Sequence, residues 1–151
     1  MMGTQSRGIR NNNPGNIDFN PRNKWEGQIG IERGVPKPRF AEFIDAESGI
    51  RAMAKLLLNY RGKDGMPNAG NTGIDTPLEF INRWAPGVEN DTNAYVKAVA
   101  RAIGVSPTSV IDIKNPVTLA SLVTSIIVHE NGSNPYPAAV IAEGVRRALA
   151  A

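Results

Sequence analysis

Apolar residues recur at helical spacing along most of this chain. Leu119, Leu122, Val123, Ile126 and Ile127 fall on one face of a helix. Asn115-Pro116 opens that helix and Asn131-Gly132 closes it. A second helix is predicted from about Ala46 to Tyr60, with Ile50, Met53, Leu57 and Tyr60 as its stripe and Leu56 beside it. Thr76-Pro77-Leu78-Glu79 has the chemistry of a helix start: Thr caps, Pro takes the first position, and Glu closes a capping box. The helix it opens is short, carries Phe80, Ile81 and Trp84, and ends before Pro86. A fourth, capped by Asp91 or Thr92, carries Tyr95, Val99, Ala102 and Ile103 and stops at Gly104. Pro137 begins a last one, with Val140, Ile141, Val145 and Leu149.

Between residues 24 and 44 the period changes to two. Trp25, Gly27, Ile29 and Ile31 alternate with Glu26, Gln28, Gly30 and Glu32. Residues 33–38 make a turn and residues 40–44 return, which predicts an antiparallel hairpin. Residues 7–17 read as a turn-rich loop, because Asn tolerates left-handed backbone and Pro14-Gly15 fixes and then frees φ. The expected class is α+β and mainly helical: about five helices with a small antiparallel β-hairpin, in a single domain over residues 1–151. Residues 1–6 are expected to form a disordered tail.

Composition narrows the chemistry. The chain has 151 residues, 41% of them apolar, enough for one real core. It has no cysteine, which removes thiol catalysis, disulfides and cysteine-based zinc sites. With one histidine, His129, a zinc site would need an unusual carboxylate-rich ligand set, so no metal or other cofactor is expected. A Ser-His-Asp triad could use only His129, and no nucleophile-elbow signature is present. The net charge of +3 suits a polyanionic partner. That charge is scattered, and its densest patch, Arg33 to Arg39 with Lys37, is modest, so nucleic acid is not the expected ligand. No run approaches the ~20 apolar residues that span a bilayer, and residues 1–10 do not read as a signal peptide. The expectation is a monomer made in the cytoplasm, without stable membrane insertion.

The helix over residues 116–131 carries the sharpest chemical signal. Glu130 lies four residues past Ile126 and three past Ile127, so it projects from the apolar face. A carboxylate there is costly unless it is protonated, paired or open to a cleft. Burial favours the neutral form of a carboxylic acid, the form that can donate a proton. The plain alternative is a solvated glutamate at a fraying helix end. A second group is Glu89, Asn90, Asp91 and Thr92 with Tyr95, following Trp84. Capping explains Asp91 or Thr92, but polar groups beside an aromatic also suit a sugar, which stacks on a ring and hydrogen-bonds amides. A third is the amide-rich loop at residues 11–16. Its asparagines serve the backbone in one reading and line a polar cleft in the other.

Taken together, these pieces resemble a family of bacteriophage virion and lysis proteins. The residues that carry the likeness are Arg7-Gly-Ile-Arg-Asn-Asn-Asn-Pro-Gly-Asn-Ile17, Trp25-Glu-Gly27, Phe40 to Tyr60, Trp84-Ala-Pro86, Glu89-Asn-Asp-Thr92 with Tyr95-Val96, and His129-Glu-Asn-Gly132 with Pro135-Tyr136. The chain is also similar to lysozyme-superfamily enzymes, in rotated order. Residues 126–135 look like the stretch of lytic transglycosylases in which a catalytic Glu ends a helix before a Gly and an Asn-Pro. Asn13-Pro-Gly-Asn-Ile17 and Trp25-Glu-Gly27 are similar to the loop and hairpin of bacterial glucosaminidases. Residues 89–96 look like a Glu-Thr-x-x-Tyr-Val motif with two residues inserted.

The resemblance implies a circularly permuted lysozyme-like domain, which is physically reasonable because domain termini often lie close together. It implies a glycosidase that cleaves the MurNAc–GlcNAc bond of peptidoglycan, as a lysozyme or a lytic transglycosylase. Glu130 would be the general acid, Glu89 or Asp91 the second carboxylate (Glu89 preferred, Glu26 an alternative), and Asn13, Asn16, Trp84, Asn90, Asp91, Thr92, Tyr95, His129 and Asn131 the substrate-binding residues. The partner would be the glycan strands of the cell wall, reached in the periplasm through a holin, a virion or a secretion machine. The protein would act as a free lysis enzyme, a virion component or part of a larger effector. The alternative is a non-catalytic virion structural or glycan-binding protein that keeps the fold.

Overall fold

The computed structural model describes residues 5–61, 63, 73–86 and 92–151. Its elements are α1 (Arg7–Arg10), β1 (Gln28–Ile31), β2 (Ala41–Phe43), α2 (Ala46–Tyr60), α3 (Pro77–Trp84), α4 (Thr92–Ile103), α5 (Pro116–Asn131) and α6 (Ala138–Ala150). The class is therefore mainly helical α+β, with six helices and one small two-stranded sheet among the described residues.

The helix ends are set by the side chains that the sequence offers. The Asp45 carboxylate caps α2 by accepting from the Ser48 N–H at 2.8 Å. Thr76 Oγ1 accepts from the Glu79 N–H at 3.2 Å, with Pro77 in the first turn of α3. The Glu79 carboxylate reaches back to the N–H of Asp75, one residue before the cap, and to the Thr76 hydroxyl. Asn115 Oδ1 accepts from the N–H groups of Val117 and Thr118 at the start of α5. Gly132 stops α5 in the left-handed region at φ 82°.

The core forms where the apolar faces meet. Leu119, Leu122, Val123, Ile126 and Ile127 of α5 are all fully buried, and they join Ile50, Met53 and Leu57 of α2, Phe80 and Ile81 of α3, and Val99 of α4. Fully burying one such side chain is worth about 1.5–3 kcal/mol, which is what holds α2, α4 and α6 against α5, and α2 against α6. The stripe of α4 turns by about one residue from the expected one: Tyr95, Val96, Val99 and Ala100 are buried, and Ala102 faces outward.

Three expectations are corrected here. The hairpin forms, with Gln28 opposite Phe43 and Ile31 opposite Ala41, and a bulge between Gln28 and Gly30. Its inward face on the first strand is the polar one, however. Ile29 and Ile31 are exposed, whereas Glu32, at the strand's end, is buried. The apolar inward face comes from Ala41 and Phe43 on β2. Residues 7–10 also make one turn of helix rather than a loop, and Ser6 is tied to the fold rather than lying in a disordered tail. The Ser6 carbonyl accepts from the Arg10 N–H, and its hydroxyl donates to Asn131 Oδ1 at 2.6 Å.

The amide-rich loop after α1 is seated on α2 by a close approach of backbone to backbone. A Cβ at Gly49 would lie 1.8 Å from the Asn12 carbonyl oxygen, so only glycine fits. The loop thereby comes to lie beside the C-terminal end of α5.

Candidate active site

Glu130 occupies the last turn of α5 and is half-buried. Its Oε1 accepts from Asn16 Nδ2 at 3.3 Å, across 114 residues of sequence. The two halves of this contact are held by a second bridge one residue along. Asn131 Nδ2 donates to the carbonyl of Pro14 at 2.8 Å and to that of Ile127 at 2.9 Å, while its Oδ1 takes the Ser6 hydroxyl. Gly8 makes room for this crossing. A Cβ there would sit 2.7 Å from Asn131 Oδ1, 2.8 Å from the Asn13 carbonyl and 2.9 Å from Asn16 Oδ1.

Tyr95 supplies the third side. Its ring lies under His129, with centroids 3.6 Å apart and planes 20° from parallel. The residue is fully buried, and its hydroxyl faces the Glu130 carboxylate without closing a hydrogen bond of normal geometry. Burial holds that hydroxyl protonated far above the usual phenol range, and the nearby Glu130 carboxylate adds to the effect. Tyr95 therefore presents a neutral O–H beside Glu130. A few residues on, the Tyr136 hydroxyl is also buried, without a partner among the described residues, and burial pushes it up to about 12.

The remaining candidates fall into three sets. Trp84 is half-buried and packs edge-on to Tyr60, with centroids 6.3 Å apart. It also borders the amide-rich loop, since a Cβ on Gly15 would lie 2.7 Å from its Cζ2. Thr92 opens α4, and its hydroxyl donates to the Ala85 carbonyl at 3.5 Å. Asn13 is fully buried, its Nδ2 donates to the carbonyls of Ile17 and Ala41, and its Oδ1 accepts the Ile17 N–H, so its amide braces the loop. Asn131 is engaged in the same way. Glu89, Asn90 and Asp91 lie outside the described residues, and Glu26 pairs with Arg51 at 3.6 Å on the hairpin side.

A second carboxylate near the loop escaped the sequence reading. Glu32 accepts from Arg7 through two nitrogens, from Asn11 Nδ2 at 2.8 Å, and from the backbone N–H groups of Arg39 and Phe40. The Arg7 guanidinium leads these donors in holding the acid far below the usual carboxylate range, against the opposing effect of burial. This charge ties α1 to the hairpin. Its partners stand 7 to 25 residues away in sequence, so no local pattern announces them.

No family model matches the chain. It is 37% identical over 133 residues to Protein P5 of Pseudoalteromonas phage PM2, an alignment that takes in 87% of this chain and 74% of that protein. The chain belongs to the family of that bacteriophage protein. The bacteriophage association read from the motifs is thus shown.

No group of histidine and carboxylate side chains suited to a metal ion occurs among the described residues. No described helix is long and apolar enough to cross a membrane.

Proposed function

We propose that this member of the phage family is a peptidoglycan-cleaving glycosidase with a circularly permuted lysozyme-like domain, and that Glu130 is its general acid. The observation that carries the reading is the setting of Glu130. It is a half-buried carboxylate at a helix end, approached by one amide and one neutral phenol, with no cation paired to it among the described residues. A carboxylate so placed can hold a proton and deliver it, whereas one locked to an arginine cannot. The helical body with a small hairpin, and the meeting of residues 16, 95 and 130, support the rotated order.

In this mechanism Glu130 protonates the oxygen that links N-acetylmuramic acid to N-acetylglucosamine. The glycosidic C–O bond breaks as an oxocarbenium-like state develops on the muramic acid side. Either water or the muramoyl 6-hydroxyl then attacks the anomeric carbon. Water requires a second carboxylate, for which Glu89 is the candidate. Intramolecular attack does not, because the Glu130 carboxylate left after the first proton transfer takes the proton of the 6-hydroxyl as its oxygen bonds the anomeric carbon, and a 1,6-anhydro end results. The partner is the glycan strand, no metal or cofactor is required, and the protein works as a monomer on the cell wall after delivery across the inner membrane.

A zymogram of the purified protein on isolated peptidoglycan tests the reading. Clearing by the wild type and none by Glu130→Gln is the expected outcome. An uncleared gel with the wild type would instead favour a non-catalytic virion component. Mass spectrometry of released muropeptides then separates reducing ends from anhydro ends.

A further inference from the structure

Asn16 does something more specific than line a cleft. Its backbone is left-handed at φ 51°, a region that non-glycine residues rarely enter and that Asn tolerates best. The loop around it is over-determined. Asn13 fixes one side with three hydrogen bonds, Gly15 is packed against Met53 and Trp84, and Pro14 is tied to Asn131. Asn16 Oδ1 is buried with no partner among the described residues, which leaves the Nδ2 contact to Glu130 as the one directed bond of this side chain. The amide must face the carboxylate with its N–H, because its oxygen would meet another oxygen with no proton between them whenever Glu130 is ionised.

We propose that Asn16 is a positioning residue for Glu130: it holds the carboxylate by Oε1 and so reserves Oε2 for the transferable proton. An N–H donor needs a lone pair, so the oxygen it binds stays an acceptor in both protonation states. The proton then favours the other oxygen, Oε2, because the hydroxyl oxygen of a neutral carboxyl group is the weaker acceptor. The consequence for catalysis rests on the glycosidase reading above. The contact itself does not.

Asn16→Gly removes the amide and suits the left-handed backbone, so the fold should survive. Activity on solubilised glycan strands should show kcat falling about 10- to 100-fold with KM nearly unchanged, the pattern of a misplaced catalytic group. The amide favours the ionised acid, so its loss should also move the alkaline limb of the rate profile to higher pH. Raised KM with unchanged kcat would overturn the proposal in favour of a glycan contact, and unchanged kcat and KM would overturn it outright.

Carbon-13 NMR titration of the Glu130 carboxyl provides a readout that needs no activity. The midpoint should rise in Asn16→Gly, and rise further in Asn16→Asp, where a like charge replaces the donor. An unmoved midpoint in both variants overturns the inference whatever the enzyme does. A moved midpoint in a protein that cleaves no peptidoglycan upholds the contact and rejects the glycosidase reading instead. Should Asn16→Gly fail to fold, the isosteric Asn16→Asp carries the same test.

Discussion

Glu32 and Glu130 each touch an asparagine from the loop at residues 11–16, yet their surroundings are opposite in kind. Glu32 is fully buried and takes hydrogen bonds from Arg7, Asn11 and two backbone N–H groups. Glu130 is half-buried and takes one, from Asn16. An acid saturated with donors is locked in its ionised form and fixes geometry. Glu130 has no such lock, with one amide and one neutral phenol beside it among the described residues. The number and charge of donors, rather than burial alone, separates a carboxylate that holds structure from one that can do chemistry.

The contrast is sharpest in a paired substitution. Glu130→Gln should lower peptidoglycan cleavage by about 10²-fold or more, the scale of general-acid catalysis, while the melting temperature stays within a few degrees of wild type. Turbidity clearing and a thermal melt on the same sample check both halves. Retained cleavage would break the comparison at its functional end.

Glu32→Ala should do the reverse. It strands the Arg7 guanidinium, the Asn11 amide and two backbone N–H groups, so unfolding free energy should drop by about 3 kcal/mol. Urea unfolding should show an earlier midpoint, while activity per folded molecule persists well below the transition. A loss under ~1 kcal/mol would mean that the network is incidental.

A pH series separates the two acids further. Glu32 ionises far more readily folded than unfolded, so the unfolded chain takes up the proton first as pH falls. The stability it contributes is fully present above the ordinary carboxylate value near ~4.3, and it drains away as pH drops through the folded value. Wild-type stability should therefore decline below about pH 4, and Glu32→Gln should flatten that decline. An unchanged slope in the variant would assign acid sensitivity to other groups.

The smallest effect is expected at Tyr95. Its hydroxyl closes no hydrogen bond of normal geometry, so Tyr95→Phe should change stability by less than ~1 kcal/mol. Ultraviolet titration of the folded wild type should leave this phenol protonated after the half-buried phenols of Tyr60 and Tyr136 have ionised. Early ionisation would contradict its burial.

Local chemistry in the sequence carried far where it was self-contained. Thr76-Pro77-Leu78-Glu79, Asn115-Pro116 and Asn131-Gly132 mark helix ends through groups a few residues apart, and α3 and α5 begin or end there. The five apolar residues of α5 are buried as their spacing predicts. Alternation misled on the first strand, because a buried Glu32 with its own donors makes the polar face the inner one. The site was legible in its parts but not in its divisions. Asn13, Asn16 and Asn131 look alike in sequence, yet only the geometry shows that Asn13 and Asn131 brace backbone carbonyls while Asn16 meets the acid. The pairing of Tyr95 with His129 spans two helices and has no local signature.

The crossing of residues 6–16 with residues 130 and 131 also sets when this site can exist. A ribosome that has made the first hundred residues has released the loop, the hairpin and α2, but none of α5. Asn16 then has no glutamate to hold, and Ser6 and Pro14 have no Asn131 to meet. The contact closes only after α5 has emerged and docked, the kind of long-range pairing that forms late. Nascent chains, and products truncated before α5, therefore lack this contact altogether.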